Sequence, residues 1–398
     1  MKFLLSSQNV GDYLGGLGLC TESERIQLQI EPVPGKNFNM LVKFPDGRKL
    51  LVKQERFAGP NKAAGEFVRE ARIQEFFQEF PEVGHIRPLL PAVLHFDANN
   101  YIIVGKYQDG YRDLWDLYEK ENSFPLAIAE AIGTQIATLH RDTFNRHDYR
   151  DFLSQKCEGV PQTAAQYLAD KLGRVEPEIF GRLTSGLLKL LALYQRYDSL
   201  GQAVDELAGT FAPCCLMHND LKLNNILLNA DWEQCGEGMV RFIDWERSNW
   251  GEPESDLGTL IASYLILWLN SMIISRALSI EESLRLATVP LEQIQPSIAA
   301  LTQSYFNTFP EIMQARPDFL RRAVQFAGAG LIMQTMPMIR YQGALGNMGI
   351  GMLQVAKSLL CRPEQSVPTI FGKAMSPPLK DETGERRRER EHGAFASI

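Results

Sequence analysis

The sequence predicts an α+β protein of two unequal parts, a small antiparallel sheet followed by a larger and mainly helical region. Residues 27–53 alternate between apolar and polar side chains, as half-buried strands do. The turn sequence Pro45-Asp46-Gly47 separates two of these runs, so we expect an antiparallel hairpin. After residue 256, the chain has the pattern of helices separated by prolines such as Pro290 and Pro310. The second part is therefore predicted to be mainly helical.

The composition is that of a globular protein with an acidic balance. Hydrophobic residues make up 45% and charged residues 22% of the 398 positions, which excludes disordered and collagen-like classes. The formal net charge of −7 argues against a protein that holds nucleic acid mainly through its phosphates, so we expect no nucleic-acid partner. The negative excess lies after the first quarter of the chain and favours a cationic or neutral substrate there. Glu252 and Glu254 are candidates to meet a cation, or else are solvated.

The cysteines and the N-terminus indicate a reducing, cytoplasmic environment. Six cysteines show no spacing typical of a disulfide framework, and the apolar run Phe3-Leu4-Leu5 ends at Ser6, too early for a secretory signal. Cys214 and Cys215 stand near His218, but no second pair with metal-ligand spacing lies close by. We expect these two thiols to pack on a buried strand.

Periodicity predicts further elements around the hairpin. They are a helix over 66–80 that Asn61 could start, a strand over 101–104 ending at Gly105, a helix over 125–140, one or two helices over 170–194 broken near Pro177, and short strands over 226–228 and 239–243.

Two segments carry the residue types that phosphoryl transfer needs. The run His218-Asn219-Asp220-Leu221-Lys222-Leu223-Asn224-Asn225 fits the pattern H-x-D-L-K-x-x-N, and Phe242-Ile243-Asp244-Trp245-Glu246 follows it. Such a reaction requires one carboxylate to orient the attacking hydroxyl. It also requires an amide oxygen and a second carboxylate to hold Mg²⁺ against the phosphate oxygens. The two segments supply both sets of groups.

With these motifs the sequence resembles the kinase-like phosphotransferases of the aminoglycoside phosphotransferase and choline kinase group, and more distantly the protein kinases. The resemblance covers roughly residues 25–260. It implies a bilobal protein-kinase-like fold, in which residues 1–105 form the nucleotide-binding N-lobe. Residues 106–375 would form the helical C-lobe with the catalytic loop and the substrate region. Residues 376–398 are predicted to be a disordered tail, because they have almost no apolar content.

The resemblance assigns roles to the two motifs. It implies that Asp220 is the catalytic base, that Asn225 and Asp244 are magnesium ligands, and that His218 braces the loop. ATP and Mg²⁺ are the cofactors that it implies.

The first lobe supplies matching nucleotide-binding residues. Lys53 matches the lysine that binds the α- and β-phosphates, and Glu70 is its expected ion-pair partner, with Glu66 as the alternative one helical turn earlier. The loop Gly35-Lys36-Asn37-Phe38-Asn39 stands where the phosphate-covering loop belongs, with Gly35 and Asn39 matching the G-x-x-x-N pattern of the group. The backbone of Gly105-Lys106-Tyr107 would bind adenine as the hinge.

Two further positions bear on the fold and the acceptor. Asp256 comes only twelve residues after Asp244, which leaves no room for a protein-kinase activation segment, so we expect Asp256 to cap the next helix and brace the catalytic loop. The uncharged run Leu257–Ile274 then becomes a buried helix behind the site, and we expect no membrane span.

Lys222 departs from the antibiotic kinases of the group, which more often have His at this position. Its ammonium group could neutralise the transferring phosphoryl group, or it could be a solvated loop lysine. The departure puts an antibiotic substrate in doubt and leaves a hydroxyl on a metabolite or a peptide open.

Three functions fit these residues. The favoured one is an ATP-dependent phosphotransferase that moves the γ-phosphoryl group to a hydroxyl of a small molecule. The second is a kinase for Ser or Thr of a peptide or protein, with residues 257–375 forming a peptide groove. The third is a nucleotide-binding pseudokinase, which the joint presence of Lys53, Asp220, Asn225 and Asp244 disfavours.

Overall fold

The structure is a computed structural model that describes most of the chain. The described residues are 3–59, 62–63, 65–155, 161–173, 183–236, 238–275 and 277–372. Three sequence predictions lie outside them: the helix start at Asn61, the break near Pro177, and the tail over 376–398.

The N-terminal region contains the predicted antiparallel sheet. Its elements, in chain order, are α1 (Val10–Gly16), α2 (Glu22–Arg25), β1 (Gln29–Val33), β2 (Phe38–Lys43), β3 (Lys49–Gln54), β4 (Phe57–Gly59), β5 (Lys62–Ala63), α3 (Glu66–Glu79), a 3₁₀ helix (Pro81–Leu89), β6 (Val93–Asp97) and β7 (Ile102–Lys106). The main sheet has the order β1-β2-β3-β7-β6, and every neighbouring pair in it is antiparallel.

The hairpin between β2 and β3 forms where the turn sequence predicts it. The register runs from Phe38 opposite Gln54 to Lys43 opposite Lys49. Gly47 has a φ of +88°, a conformation that glycine adopts without strain. The hairpin is therefore set by the local sequence.

Alternation along β3 gives the sheet two different faces. Leu50 and Val52 are buried in a cluster that includes Val10 of α1. Because successive side chains of a strand point to opposite faces, Leu51 and Lys53 lie on the other face, where they line a cavity. The hydrophobic packing of one face thus fixes the direction of the Lys53 side chain.

Helix α3 begins at Glu66 with an unusual cap. Gly65 at the N-cap has a φ of +75°, and the buried carboxylate of Glu55 accepts hydrogen bonds from the backbone N–H groups of Glu66 and Phe67, at 3.3 Å each. A carboxylate at a helix N-terminus satisfies free donors and interacts favourably with the helix dipole. Glu55 comes from the end of β3, so this cap joins the strand of Lys53 to the helix of Glu70.

The rest of the described chain is mainly helical, as predicted. Its elements are β8 (Tyr111–Asp113), α4 (Leu114–Glu121), α5 (Leu126–Thr143), α6 (His147–Ser154), α7 (Ala164–Leu168) with a π-helical turn (Ala169–Gly173), α8 (Ser185–Gln195), α9 (Asp198–Gly209), β9 (Cys215–Met217), a 3₁₀ turn (Leu223–Asn225), β10 (Ile226–Asn229), β11 (Val240–Phe242), a 3₁₀ turn (Trp245–Arg247), β12 (Asn249–Gly251), α10 (Pro253–Asn270), α11 (Ile280–Arg285), α12 (Leu291–Thr308), α13 (Ile312–Ala315), α14 (Phe319–Gln342), α15 (Asn347–Cys361) and α16 (Pro363–Phe371).

Helix α10 is the buried centre of this lobe. It packs along α14, while α5 packs along α12. The helix starts four residues before the predicted run, with Pro253 at its first position, and ends at Asn270, so the segment 271–274 is not part of it. Among the described residues, none of the helices has the length and hydrophobicity needed to cross a membrane. Cys215 lies buried on β9, as the sequence predicts.

Close packing of α10 on α14 gives the first prediction. A Cβ added at Gly258 would lie 2.5 Å from Phe326 Cβ and 2.6 Å from the Ala323 carbonyl oxygen, whereas one added at Gly201 of α9 meets nothing within 4 Å. We expect Gly258→Ala to lower the free energy of unfolding by about 1–3 kcal/mol, because the two helices must separate. Gly201→Ala should leave it unchanged or raise it by about 0.5–1 kcal/mol. Urea denaturation of both variants checks this, and equal stabilities would contradict it.

Candidate active site

The loop over residues 218–225 is fixed by one buried carboxylate. Asp256, in the first turn of α10, accepts hydrogen bonds from the backbone N–H groups of His218 at 2.7 Å and Asn219 at 2.8 Å. Asn219 has a φ of +60°, a left-handed conformation that the two bonds hold in place. His140 lies against the same carboxylate, with its Nε2 at 3.4 Å from Asp256 Oδ2. The predicted bracing of the loop by Asp256 is thus observed as two backbone contacts. The predicted helix cap is wrong, because Asp256 lies within the first turn of α10 and the N-cap residue is Glu252.

His218 connects this loop to the segment that carries Asp244. Its Nε2 is 2.9 Å from the carbonyl oxygen of Ile243. Because a carbonyl oxygen only accepts, Nε2 carries the hydrogen and is the donor of this hydrogen bond. The ring also packs against Trp245, with ring centroids 4.7 Å apart. Burial lowers the pKa of His218, although the carboxylates of Asp256 and Asp220 oppose the shift. A neutral imidazole therefore joins the two motifs.

Asp220 is held by two donors from its own loop. Lys222 Nζ lies 3.1 Å from Asp220 Oδ2, and Asn225 Nδ2 donates to the backbone oxygen of Asp220 at 2.8 Å and to its Oδ2 at 3.2 Å. The backbone N–H of Ile243 in turn donates to the oxygen of Asn225 at 2.9 Å. Both donors approach Oδ2, which leaves Oδ1 of Asp220 without a hydrogen bond among the described residues.

Lys53 and Asp244 meet across 191 residues of sequence. Lys53 Nζ donates to Asp244 Oδ1 at 2.5 Å. Burial alone would raise the pKa of Asp244, but the Lys53 ammonium and its hydrogen bond outweigh this and hold the pKa below its ordinary value. Burial likewise opposes the charge on Lys53, yet Asp244 and Glu70 together keep its pKa above the usual range. The pair is therefore ionised.

Glu70 lies beside this pair without forming the ion pair that the sequence predicts. Among the described residues, Lys53 has its salt bridge to Asp244, and Glu70 Oε2 has no hydrogen-bond partner. Burial raises the pKa of Glu70 above its ordinary value, although the nearby Lys53 opposes the shift. Glu66 points elsewhere and pairs with Lys36. Of the two glutamates weighed from the sequence, Glu70 is the one that shares a cavity with Lys53.

The loop over residues 35–39 is tied to the second motif. Asn37 is buried, and its Nδ2 lies 3.4 Å from Glu246 Oε2. Lys36 Nζ lies 3.7 Å from Glu246 Oε1. Burial, together with the charge of Glu66, raises the pKa of Glu246 to about 7. The loop thus approaches the segment of Asp244 through polar side chains.

Within this loop, Gly35 and Asn39 lie against each other. A Cβ at Gly35 would be 2.5 Å from Asn39 Nδ2, so the side chain of Asn39 fills the space that glycine leaves. Asn39 itself belongs to β2 rather than to the loop, and its buried Oδ1 has no partner among the described residues. Gly35 and Asn39 therefore pack against each other, and their role in nucleotide binding stays a prediction.

The predicted hinge overlaps the end of β7, and two of its backbone donors are already used. Lys106 N–H donates to the Ala92 oxygen at 2.9 Å, and Tyr107 N–H donates to the Lys49 oxygen at 3.1 Å. Gly105, Tyr107 and Gln108 all line the same cavity as Lys53. Adenine binding through the N–H of Tyr107 would require that bond to break.

Two separate cavities lie beside these motifs. The first, of about 230 Å³, lies between the lobes and includes Lys53, Glu70 and Asp244 together with the hinge residues. The second, of about 510 Å³, lies in the helical lobe and includes Asp220 and Lys222. The cavities share no lining residue. Asn225 is hydrogen-bonded to Asp220, which lines the second cavity, and to Ile243, which lines the first. It therefore connects the two cavities.

The residues present fit a magnesium ion bound together with phosphate groups. Asn225 uses Nδ2 toward Asp220, so its Oδ1 stays available, and Asp244 Oδ2 is likewise not needed by Lys53. Oxygen donors are what Mg²⁺ prefers. Within the described stretches, there is no cluster of three or more His, Cys, Asp or Glu that could hold a metal. This is compatible with Mg²⁺, which often takes one or two protein ligands and completes its shell with water and substrate phosphate.

Glu252 and Glu254 do not face a substrate. Both are at most 1% exposed, and they pair with Arg316 and Arg322. Glu252 Oε1, for example, is 2.5 Å from Arg322 Nη2. Both alternatives from the sequence, contact with a cationic substrate and solvation, are therefore wrong: the two acids form a buried ion-pair network that ties the start of α10 to Arg316 and α14.

Several residues of the site were not assigned from the sequence. Glu246 and Asn37 belong to the quoted motifs, but their contact joins positions 209 residues apart. Asp113 lines the cavity between the lobes, and Arg247 lines the one around Asp220. For Glu246 and Arg247, the sequence signal that could have assigned them to the site is their position two and three residues after Asp244.

Known proteins support the kinase-like fold. The model of a family described as the phosphotransferase enzyme family matches residues 30–275. An ethanolamine kinase from Plasmodium vivax has 16% sequence identity and a TM-score of 0.52, with 93% of this chain and 91% of that one covered. This likeness shows the fold alone, and the predicted bilobal architecture is confirmed by it.

Two further solved structures are similar at lower scores. A choline kinase from Streptococcus pneumoniae has 14% identity and a TM-score of 0.48, with 89% of this chain and 98% of that one covered. A complex of streptomycin, ATP and APH(2″)-IIa has 14% identity and a TM-score of 0.42, with 90% and 99% covered. No curated protein sequence matches the chain.

The Asp256 contacts predict a stability effect. Asp256→Ala should leave two buried N–H groups without acceptors and lower the free energy of unfolding by about 2–5 kcal/mol, since each unsatisfied donor costs about 1–3 kcal/mol. Asp256→Asn keeps one oxygen acceptor and should lose less. Denaturant unfolding of both variants measures this, and a loss below about 0.5 kcal/mol for Asp256→Ala would refute the bracing role.

The lowered pKa of His218 predicts a dependence of stability on pH. An imidazole in the unfolded chain titrates near pH 6.5. Above that pH both states are neutral, and below it the unfolded state binds a proton that the folded state resists, so stability falls with falling pH. The stability advantage of the wild type over His218→Gln should therefore shrink between pH 7.5 and 5.5.

Chemical denaturation at several pH values tests this. His147→Gln, which removes an exposed imidazole from α6, is the control and should show no such trend. A wild-type advantage that grows as the pH falls would contradict a neutral, buried His218.

Proposed function

The chain belongs to the phosphotransferase enzyme family, whose model covers more than half of it, and from this premise we propose that it is an ATP-dependent kinase that transfers the γ-phosphoryl group to a hydroxyl of a small molecule. Membership makes it a phosphotransferase with hydroxyl acceptors. The nucleotide, the metal, the acceptor and the role of each residue are part of the proposal.

The observation that carries the proposal is the contact between Lys53 and Asp244. A lysine from the sheet and a carboxylate from the helical lobe form an ion pair at 2.5 Å within one cavity. An ammonium group and a metal-binding carboxylate in this arrangement suit a triphosphate, which needs cations along its length. The geometry therefore supports nucleotide binding between the lobes.

We assign the protein's own groups as follows. Lys53 binds phosphate oxygens, with Glu70 close enough to stabilise its charge electrostatically. Asn225 and Asp244 hold Mg²⁺, which when bound neutralises phosphate charge and orients the phosphoryl group. Asp220 is oriented by Lys222 and Asn225 through Oδ2, and its free Oδ1 accepts the hydrogen bond of the attacking hydroxyl.

Lys222 also stands where charge develops during transfer. Its side chain is 42% exposed, and its ammonium group lies 3.1 Å from Asp220 Oδ2, which supports a role in the site over that of a solvated loop lysine. We propose that it stabilises the transferring phosphoryl group, since a fixed cation lowers the energy of such a transition state. Catalysis then comes mainly from positioning and charge stabilisation.

The acceptor cavity favours a small molecule over a peptide. Its volume of about 510 Å³ lies in the range of small-molecule sites, about 300–1,000 Å³. It is bounded by α10 and α14, which pack against each other behind it. The cytoplasmic location expected from the sequence stays a proposal, and it rests here on the use of ATP.

Two variants separate the proposed roles. Asp220→Ala should lower the rate of phosphoryl transfer by roughly 10²–10⁴-fold and leave nucleotide affinity nearly unchanged, because Asp220 acts on the hydroxyl. Asp244→Ala should weaken Mg²⁺–ATP binding by about tenfold or more, because it removes a metal ligand and the partner of Lys53. Nucleotide titration and single-turnover transfer measure the two effects.

The acceptor is first found with an ATP-consumption screen over sugars, nucleosides, amino alcohols, hydroxy acids and Ser/Thr peptides. Asp231→Ala, an exposed carboxylate in the turn after β10, is the control and should behave as wild type. Equal and mild losses in both test variants would overturn the assignment. Transfer to peptides alone would contradict the small-molecule acceptor, and nucleotide binding without transfer to any class would contradict catalysis.

A further inference from the structure

We propose that the acceptor carries an anionic group, a carboxylate or a phosphate, in addition to its hydroxyl, and that Arg247 is the residue that recognises it. This inference rests on the proposed function, because it takes the cavity around Asp220 to be the acceptor site. It goes beyond that function by assigning the charge class of the acceptor.

The charged side chains of the cavity favour an anion. Among its described lining residues, the cations are Lys222 and Arg247, and the only carboxylate is that of Asp220. Asp220 is already bonded to Lys222 and Asn225. The described lining therefore carries a positive charge in excess, and its one carboxylate is already paired.

Arg247 is a partly buried residue whose guanidinium has no partner in the part of the chain that the structure describes. It has no ion pair or hydrogen bond to any described residue, in contrast to Arg316 and Arg322, whose carboxylate partners are buried with them. A guanidinium that lines a cavity with its donors unpaired can form a bidentate contact with a carboxylate or a phosphate. This makes Arg247 a group that gains a partner when an anionic ligand binds.

The backbone position of Arg247 is fixed before any ligand binds. It ends the 3₁₀ turn that starts at Trp245, directly after Asp244. Trp245 is fully buried and its Nε1 donates to the Phe242 oxygen at 2.7 Å. Ser248 closes the turn on the other side, donating to the Trp245 oxygen through its backbone N–H at 3.0 Å and through Oγ at 2.6 Å. A rigid turn thus presents Arg247 to the acceptor cavity, separate from the nucleotide cavity.

The other walls of the cavity suit a hydroxylated ligand. Gln162, Thr163 and Gln334 supply neutral hydrogen-bonding groups, and Trp115 supplies an apolar surface. The acids that could have attracted a cation, Glu252 and Glu254, pair with arginines and do not line the cavity. A cationic amine would therefore meet a described lining with a net positive charge, which is unfavourable at close range.

Matched ligands that differ in one substituent, and through it in charge, test the proposal. The first set is glucose, glucuronate, glucose 6-phosphate and glucosamine, and the second is glycerol, glycerate, glycerol 3-phosphate and 3-amino-1,2-propanediol. Each is titrated by calorimetry into the full chain saturated with Mg²⁺ and a non-hydrolysable ATP analogue, so that phosphate cannot occupy the nucleotide cavity. The carboxylate and phosphate arms distinguish the two sources of negative charge.

We expect an anionic member of at least one set to bind about tenfold or more tightly than its neutral counterpart, and the amine to bind weakest, as charge-assisted hydrogen bonds predict. Arg247→Gln should reduce this preference to about threefold or less, and Arg247→Lys should give an intermediate value. Arg340→Gln removes a charge from an exposed position of α14 outside the cavity and should keep the full preference. Retained affinity for the ATP analogue shows that each variant is folded.

The result that overturns the proposal is the absence of an anion preference in both sets, or a preference that Arg247→Gln leaves intact. Phosphoryl transfer to the tightest ligand is then assayed with ATP. Transfer without any charge preference would contradict this inference alone. A charge preference that depends on Arg247, without transfer to any ligand, would support the anion site and contradict the proposed function.

Discussion

The ion pair between Lys53 and Asp244 is the contact on which the organisation of the site depends. It joins a strand of the N-terminal sheet to a turn of the helical lobe, at 2.5 Å. Each charge is partly buried, and each would be costly without the other. The pair therefore joins two lobes, which fold from distant parts of the chain, at a common cavity. In the proposed function, phosphate and Mg²⁺ bind the ammonium group and the carboxylate that here contact each other.

The surrounding structure holds the two ends of this pair in place. Hydrophobic burial of Leu50 and Val52 directs Lys53 to the opposite face of the sheet. On the other side, the neutral His218 ring ties the Asp220 loop to the carbonyl of Ile243, next to Asp244. Asp256 fixes that loop through its backbone rather than through side chains. The reactive groups are thus supported by elements whose own positions are set by packing and buried hydrogen bonds.

Much of this could be predicted from the sequence, because some signals are local. The Pro45-Asp46-Gly47 turn and the alternation on each side predict the hairpin that carries Lys53. The spacing of Asp220, Asn225 and Asp244 predicts that they converge, and the structure links Asn225 to Asp220 and to the residue before Asp244. Periodicity and motif spacing report on contacts within short stretches of chain, which is why these predictions succeed.

The remaining features depend on tertiary packing that no local pattern records. The cap of α3 comes from Glu55, which directly follows β3, and the sequence offered only a start signal close to the helix. The pairing of Glu252 with Arg316 and Arg322 joins positions 64 and 70 residues apart, so these acids could be mistaken for a substrate site. In the same way, the backbone N–H of Tyr107 donates a hydrogen bond to the backbone oxygen of Lys49 on a neighbouring strand.

The most direct test of the account is a double-mutant cycle on Mg²⁺–ATP affinity with Lys53→Met and Asp244→Asn. Because the two groups contact each other and serve one ligand, the combined loss should fall short of the sum of the single losses, with a coupling of about 0.5–3 kcal/mol. Losses that add within about 0.5 kcal/mol would mean that the two side chains act on separate ligands or at separate places, and the convergence of the lobes on one nucleotide would be contradicted.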